Sequence, residues 1–408
     1  MLQAPRNGNF LRRLGFLAPA AVALALGLAE RVAAEPYMAV REGRKCSTCH
    51  VNMTGSGMRT LLANTHLEEI THYRELFPEF ESVEDTWNGQ VTSFFSLGAD
   101  IRVDNSLVFQ DEPNAQGQVS NNEVFRGRVD ENILDLRQAD IYFLFAPVPD
   151  FLEIYLDQSF APGGTSTKEI FGLLKGVLPG NGYIKAGKFF LDYGLRTEND
   201  DLASIGISSQ NQFVRARTGS DFDAYHPGIE IGFQPGPFAT SLSITDAAGA
   251  TTDPRITANA YGVFRDIPVV DNILAGGSFM WVPSDNGDTY NWGVYAGSNF
   301  GPLEYQAEVD FIQARNDTLG ISKGTFVAYG ELNYLLLGWI NTKFFGEYAD
   351  NDGRWETADT AQNRFGFGIE PFIGKFLQPR IFYTVANGPK DRPETNQNRL
   401  IFELHLFF

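Results

Sequence analysis

The sequence predicts an all-β protein, a transmembrane antiparallel β-barrel of about sixteen strands, preceded by a small N-terminal α-helical segment. Three observations lead to this fold class. After the first thirty or so residues no apolar run is long enough for a membrane-spanning helix, although 43% of the chain is hydrophobic. From Trp87 onward the chain consists of alternating or aromatic-rich runs. Short and long connections between these runs also alternate, as they do in outer-membrane barrels.

Composition excludes several other classes of protein. The net charge of -18 argues against nucleic acid and against anionic lipid surfaces as partners. Two cysteines are too few for a disulfide scaffold. The 41 glycines have no triplet period, which excludes a collagen-like chain. We therefore expect an ordered protein without a nucleic-acid partner.

The N-terminus, residues 1–34, has the three parts of a secretory signal peptide. A basic stretch is followed by a short apolar run at 16–29, and the small residues before position 35 fit a cleavage site. A membrane anchor is the alternative, but the run is too short to span a bilayer and Pro19 interrupts it. The mature chain is therefore expected to begin near Glu35, outside the cytoplasm.

The only two cysteines of the chain lie in the motif Cys46-Ser-Thr-Cys49-His50. This C-x-x-C-H spacing is the attachment motif of a c-type haem, in which both thiols form thioethers and the histidine binds the iron. A redox dithiol would need a βαβ context, and a zinc site would need further Cys or His residues. The sequence therefore predicts one covalent haem c, held by Cys46, Cys49 and His50 within a haem-binding segment at 35–87.

The second axial ligand of the iron has several candidates. Residues 58–75 are predicted to form a helix that carries His66 and His72. We rank His66 first as the distal metal ligand. Met58, which follows a flexible glycine-containing stretch, and His72 stay open as alternatives.

The remaining chain, residues 88–408, is predicted to be the barrel. Its strands are expected at 91–105, 130–146, 151–160, 168–177, 181–192, 226–234, 237–246, 255–265, 272–283, 288–300, 303–315, 325–337, 338–350, 362–372, 377–387 and 398–408. The last strand carries apolar residues at every second position and ends in Phe408, which is typical of bacterial outer-membrane barrels.

The connections set the expected topology. Short turns are predicted at 147–150, 178–181, 234–236, 266–271, 301–302, 337–338 and 373–376, and longer polar loops connect the other strand pairs. Because outer-membrane barrels have short periplasmic turns and long external loops, the first connection, 106–129, is expected outside the cell.

The alternation assigns charged side chains to the barrel lumen. The expected lumen residues are Glu153, Asp157, Lys185, Glu308, Asp310, Glu331, Lys343, Glu347, Arg364, Glu370, Arg380 and Glu403. Acids outnumber bases in this set, which favours a cation-attracting lumen. The alternative is that these charges pair and stiffen the wall.

Two segments resemble known families. Pro36 and Ala39, followed after six residues by the Cys46–His50 motif, resemble the haem segment of the fused cytochrome–porins, a monohaem cytochrome c joined to an outer-membrane porin, best known from bacteria that oxidise extracellular ferrous iron. Residues 182–196 are similar to strands of large bacterial porins of the phosphate-selective type.

The resemblance implies an outer-membrane electron conduit. Its expected partners are outer-membrane lipid, a periplasmic c-type cytochrome and an extracellular donor or acceptor such as iron. Whether the chain is an enzyme, a ferrous iron oxidase, stays open, as does the direction of electron flow. A cation-favouring solute porin with a haem-containing plug or redox-sensing gate is the alternative. In either case we expect the haem inside the barrel or at its periplasmic mouth.

Overall fold

The structure is a computed structural model that describes residues 36–55, 57–64, 89–110, 128–160, 164–195, 225–246, 253–285, 287–317, 320–350, 361–373, 376–388 and 396–408. The predicted signal peptide, His66 and His72 lie outside these residues, and so do most of the predicted long loops. Among the described residues no helix is long and apolar enough to cross a membrane.

Two short helices precede the strands. They are α1 (Pro36–Glu42) and α2 (Cys46–Cys49). The strands are β1 (Gln90–Thr92), β2 (Phe95–Gln110), β3 (Arg128–Val148), β4 (Leu152–Ser159), β5 (Ser166–Leu178), β6 (Gly182–Phe190), β7 (Tyr225–Phe233), β8 (Phe238–Thr245), β9 (Arg255–Arg265), β10 (Asn272–Val282), β11 (Thr289–Phe300), β12 (Leu303–Asn316), β13 (Ile321–Leu336), β14 (Ile340–Asp350), β15 (Gln362–Pro371), β16 (Leu377–Asn387) and β17 (Asn398–Phe407).

The long strands β2 to β17 form a closed antiparallel barrel of sixteen strands, each paired with its neighbours in chain order. Strand β17 returns to β2, with Phe407 opposite Asp100 and Asn398 opposite Phe109, and this pairing closes the barrel. Closure removes the free strand edges that an open sheet would leave unpaired. The predicted fold class is therefore confirmed.

The predicted strand spans agree with the structure except at the first strand and at β13, which begins at Ile321, four residues before the predicted start. The predicted strand 91–105 is divided into β1 and β2, because the chain turns at Ser93 and Phe94. Strand β1 pairs back on the start of β2, beyond the end of β17. Strand β2 then continues to Gln110, five residues past the predicted end.

Alternation along the strands separates the two faces of the barrel. On β12, Tyr305 and Phe311 are exposed on the exterior, whereas Gln306, Glu308 and Asp310 are buried inside. On β15, Phe365 and Phe367 are likewise exposed and Glu370 is fully buried. The exterior is thus apolar and the interior polar, which is the inverse of a soluble protein and matches the expected period of two.

Several short turns use residues in the left-handed region of backbone conformation. Leu337 and Gly338 have φ values of 55° and 77°. Two consecutive positive φ values give the hairpin twist that suits antiparallel strands. Asp150, Asn181 and Asp266 also have positive φ. Asp and Asn tolerate this conformation better than most residues, which explains why these turns are short.

Candidate functional site

The N-terminal segment, residues 36–55 and 57–64, lies inside the end of the barrel that carries the short turns. Arg41 Nη2 donates a hydrogen bond to the carbonyl oxygen of Pro302, at 3.0 Å, and Lys45 Nζ donates to that of Gln234, at 2.9 Å. Both carbonyls belong to short turns. The segment is therefore attached to the wall at the short-turn mouth.

Helix α1 packs between opposite parts of the wall. Tyr37 and Met38 belong to a buried cluster with Leu335, Phe372 and Phe407. On its other side Val40 is fully buried in a cluster with wall residues that include Val263, Leu274 and Tyr295. Apolar contacts on both sides fix the helix across the interior.

Gly43 ends α1 and brings the backbone close to the wall. Its φ is 57°, and the amides of Gly43 and Arg44 donate to carbonyl oxygens of α1, which caps the helix. A Cβ atom at position 43 would lie 2.5 Å from Oδ1 of Asn272. Only glycine fits this approach. Between α1 and the turns at 266–271 and 301–302 a polar cavity of about 470 Å³ opens at the mouth.

Helix α2 is a single turn that carries both cysteines. The amide of His50 donates to the carbonyl oxygen of Cys46, at 2.9 Å, so the histidine directly continues this turn. The amide of Cys46 donates to the Tyr261 hydroxyl, and the Ser47 hydroxyl donates to Oε1 of Gln234. The wall therefore fixes the position of the motif. The two thiols are free and form no disulfide.

After the motif the chain reverses and forms a narrow two-stranded ribbon. His50 and Arg59 pair in an antiparallel bridge, and the Val51 amide donates to the carbonyl oxygen of Met58 at 3.0 Å. The Thr60 amide bonds to the Cys49 carbonyl oxygen at 2.9 Å. The ribbon thus connects the end of the motif to the next helical turn.

The predicted helix at 58–75 begins later than expected. Arg59 is held in the bridge, and the first described helical residues are 61–64. Thr60 explains the boundary, since its Oγ1 accepts a hydrogen bond from the Ala63 amide as an N-cap. The structure does not describe residues 65–75.

The tip of the ribbon is bonded to the wall. Asn52 Nδ2 donates to Oε1 of Glu169 at 3.0 Å, and Asn52 Oδ1 accepts from Lys185 Nζ at 3.0 Å. Lys185 also pairs with Glu230 at 2.8 Å. All four side chains are buried. Sequence patterns gave no signal for Asn52, because a single polar residue after a motif is compatible with any loop.

A second part of the chain enters the barrel after β6. This inward loop, residues 191–195, has buried Leu191, Tyr193 and Leu195. Leu195 packs in the same cluster as Val40 of α1, so the inward loop meets the N-terminal segment. The sequence predicts a strand to residue 192 and then a long external loop, whereas β6 ends at Phe190. Alternating apolar residues at 191, 193 and 195 were the available signal for an inward course.

The inward loop carries an acid among polar wall residues. Asp192 accepts hydrogen bonds from Ser241 Oγ at 2.5 Å and Asn259 Nδ2 at 2.8 Å. Burial raises the pKa of Asp192 to about 6, and the nearby Glu230 contributes in the same direction. Tyr193 donates from its hydroxyl to Oδ1 of Asp310 at 3.0 Å. Hydrogen bonds of Asp192 and Asp310 therefore fix the loop to the inner wall.

The predicted lumen charges all lie on the inner face. Every member of the predicted set is buried except Arg364, which is half-buried. Several form ion pairs, as in Lys343–Glu370 at 3.3 Å and Arg364–Glu347 at 2.7 Å. Among the described strand residues fifteen Asp and Glu side chains are buried, against four Lys and Arg. Pairing therefore coexists with an excess of interior acid.

The N-terminal segment has the opposite charge. Its described residues include Arg41, Arg44, Lys45 and Arg59, against the single acid Glu42. The negative charge of Glu304 on β12 favours the charged form of Arg41. The negative charge of Asp100 on β2 does the same for Arg59. A basic segment inside an acidic barrel is electrostatically complementary to the wall around it.

The surroundings of the motif shift the pKa of its ionisable groups. Burial raises the pKa of the Cys46 thiol to about 11 and also raises that of Cys49. Burial lowers the pKa of Arg59 to about 10, partly offset by the charge of Asp100. At neutral pH the free thiols are therefore protonated and Arg59 is charged.

The donor set fits a c-type haem. Two free thiols lie on one helical turn, and the imidazole follows directly. Leu61 and Leu62 come just after the bond between Thr60 and Cys49, and each is about half exposed, at 51% and 50%. Such apolar surface suits a porphyrin. In the described ranges no cluster of three or more His, Cys, Asp or Glu could hold a metal ion by itself.

The structure places the alternative distal ligand Met58 in the wall. Its side chain is 4% exposed and packs with Val51, Tyr142 and Tyr155. Opposed residues of an antiparallel bridge share a face, and their neighbours point to the other face. Met58 therefore lies on the face of the ribbon opposite to His50. The positions of His66 and His72 are not described.

Comparisons with known proteins give the fold alone. No protein-family model matches the chain, and no curated protein matches its sequence. Among solved structures, the anion-selective porin from Comamonas acidovorans is 12% identical with a TM-score of 0.56, and the alignment covers 77% of this chain and 99% of the porin.

Two other outer-membrane proteins are similar to the same degree. OmpT of Vibrio cholerae is 12% identical with a TM-score of 0.53, over 78% of this chain and 99% of OmpT. The outer-membrane channel DcaP of Acinetobacter baumannii is 10% identical with a TM-score of 0.53, over 77% of this chain and 97% of DcaP. The chain thus has the sixteen-stranded barrel fold of porins.

Proposed function

We propose that the chain is a bacterial outer-membrane protein that carries electrons across the membrane through one covalent haem c. One observation carries the proposal: the Cys46–His50 motif lies on a segment that is bonded to the inner wall at one end of a closed barrel. A redox group in this place would be enclosed by the barrel and close to its mouth.

The membrane location is supported by the surface of the barrel and by its fold. Large apolar side chains, such as those of Phe365, Phe367 and Phe402, are exposed on the exterior. The fold is that of porins. With short turns on the periplasmic side, as in other outer-membrane barrels, the N-terminal segment occupies the periplasmic mouth.

Four residues are proposed to hold the haem. Cys46 and Cys49 would form the thioethers, and His50 would bind the iron. For the distal position we propose His66, since Met58 is packed into the wall on the other face of the ribbon. His72 is the alternative to His66.

The bound haem would supply one-electron Fe(III)/Fe(II) chemistry. The chain's own residues contribute position and charge. The wall fixes α2 through Tyr261 and Gln234, and the buried clusters around α1 exclude water from one side of the motif. Interior acids attract cations, which suits ferrous iron as the extracellular donor. A periplasmic c-type cytochrome would exchange electrons at the mouth, in either direction.

An optical spectrum of the purified full-length protein tests the proposal. We expect c-type bands that sharpen on reduction with dithionite, and reduction on addition of ferrous iron. A Cys46→Ala, Cys49→Ala double variant should lose haem staining on a denaturing gel. A wild-type protein without a haem spectrum contradicts the proposal, and stain retained by the double variant contradicts the motif assignment.

A cation-favouring solute porin with a haem-containing plug or redox-sensing gate is the second candidate. The excess of buried interior acids favours it, together with the porin fold. The solved porin from Comamonas acidovorans is described as anion-selective. A reversal potential in a salt gradient across a planar bilayer distinguishes the two selectivities. Substantial conductance of the intact chain, without reduction of its haem by extracellular donors, favours this candidate.

A further inference from the structure

The bridge between His50 and Arg59 places a cation beside the proposed iron ligand. Directly opposed residues in an antiparallel pair have Cβ atoms about 5 Å apart on the same face. His50 and Arg59 form such a pair. Two hydrogen bonds hold the ribbon on both sides of this pair. The Thr60 amide donates to the Cys49 carbonyl oxygen, and the Val51 amide donates to the Met58 carbonyl oxygen.

The guanidinium of Arg59 is held by the last strand. Its Cζ lies 3.9 Å from the centre of the Phe407 ring. This distance is within the range of a cation–π contact. Phe407 is itself 3% exposed and packs with Tyr37 and Met38 of α1. Arg59 therefore has a fixed position rather than a solvated one.

The charge of Arg59 is not cancelled by a contact ion pair within the described part of the chain. The acid with the largest effect on its pKa is Asp100. Asp100 is already bonded to Arg102, at 2.9 Å, and to His405, at 3.1 Å. Arg102 and Arg380 add further positive charge in the same region. The field of Arg59 therefore extends to the motif.

We infer that Arg59 sets the reduction potential of the haem, an inference that rests on the proposed function. Reduction adds one electron to the iron and lowers the net charge of the site by one unit. A fixed cation on the face of the proximal histidine stabilises the reduced form more than the oxidised form, and a surrounding of low dielectric strengthens this effect. Arg59 therefore raises the potential. It acts as a positioning and charge-setting residue, not as an iron ligand.

Redox titration of the full-length holoprotein tests the inference, with Arg59→Gln and Arg59→Lys compared with wild type. At the wild-type midpoint we expect the oxidised-to-reduced ratio of Arg59→Gln to rise about tenfold, which corresponds to 59 mV for a one-electron couple. Arg59→Lys keeps the charge and should stay close to wild type. A purely structural role of Arg59 would shift the midpoint of both variants.

Arg41→Gln is the matched control, because it removes a cation of the same segment that is not among the charges that shift the pKa of either cysteine. Its midpoint should equal that of wild type. If Arg59→Gln does not accumulate as a holoprotein, Phe407→Leu replaces it, since loss of the ring frees the guanidinium and should shift the ratio in the same direction. If the variant that is measured has the wild-type ratio of oxidised to reduced haem, the inference is wrong but the proposed function is unaffected. A wild-type protein that carries no haem overturns the proposed function as well.

Discussion

Lys185 shows how a single buried charge connects the N-terminal segment to the barrel. The side chain is fully buried, pairs with Glu230 at 2.8 Å and donates to Asn52 and Thr54 of the ribbon. It also lies 4.5 Å from the centre of the Phe189 ring. Removal of one partner of a buried pair leaves the other charge uncompensated, which costs about 3–5 kcal/mol. The segment and the wall therefore share one polar network.

Asp192 gives a prediction of pH dependence at the residue scale. Because its folded pKa is raised from 3.8 to about 6, the folded chain binds more protons than the unfolded chain between about pH 4 and pH 6. Wild-type stability attributable to Asp192 is therefore gained as the pH falls through this window and is lost as it rises. The size of the effect is about 3 kcal/mol.

The test compares wild type with Asp192→Asn, which cannot titrate. The free energy of unfolding in detergent is measured between pH 4 and pH 7. We expect the stability of wild type relative to the variant to increase steadily as the pH is lowered. A difference that is constant over this range shows that Asp192 is not the titrating group.

At the scale of elements, α1, α2 and the ribbon act together as a plug. Helix α1 is packed on both sides, α2 is bonded to Tyr261 and Gln234, and the ribbon is bonded at its tip through Asn52. None of these elements is long enough to be stable alone, since isolated helices of less than about 12 residues are marginal in water. Their stability comes from the barrel that encloses them.

Deletion of residues 36–85 should raise the single-channel conductance of the protein several-fold, because a barrel of about sixteen strands otherwise leaves an aqueous channel. Asn52→Ala should give a milder effect, with brief openings, since it removes the bonds to Lys185 and Glu169. Conductance is measured in planar bilayers.

The matched control for this prediction is Asn105→Ala, which alters a bond between Asn105 and Asn132 of the barrel and no contact of the segment. It should leave conductance unchanged. Equal conductance of the full chain and the deletion variant contradicts the plug, because the segment would then not obstruct the channel.

At the scale of the whole molecule, charge is distributed in layers. The exterior of the barrel is apolar, the wall interior has an excess of buried acids, and the N-terminal segment is basic. Without a basic partner, the buried carboxylates of the wall would repel one another in a medium of low dielectric. The segment offsets part of this repulsion, and the ion pairs within the wall offset more.

The orientation of the barrel gives the third prediction. A protease site inserted between Gln110 and Arg128, in the first long connection, should be cleaved in intact cells. A site inserted into the turn at 147–150 should be cleaved only after the outer membrane is permeabilised. The reason is that short turns face the periplasm in outer-membrane barrels. Cleavage at the turn in intact cells would reverse the orientation proposed here.

The barrel and the C-x-x-C-H motif follow from local patterns in the sequence. Strand period, turn residues and the alternation of connections are local properties, so the number of long strands, most of their spans and the inward set from Glu153 to Glu403 were predicted correctly. The spacing of Cys46, Cys49 and His50 is equally local. The haem that this spacing predicts is tested by the optical spectrum of the purified protein.

The arrangement inside the barrel depends on contacts between distant parts of the chain. The contacts of Asn52 with Lys185, of Arg59 with Phe407 and of Leu195 with the cluster around Val40 join residues that are far apart in the chain. No local pattern encodes such pairs, because each joins two residues whose own surroundings in the sequence do not specify the partner. Closure of the sheet brings them together, and shape, charge and hydrogen bonding in the enclosed space then select the arrangement.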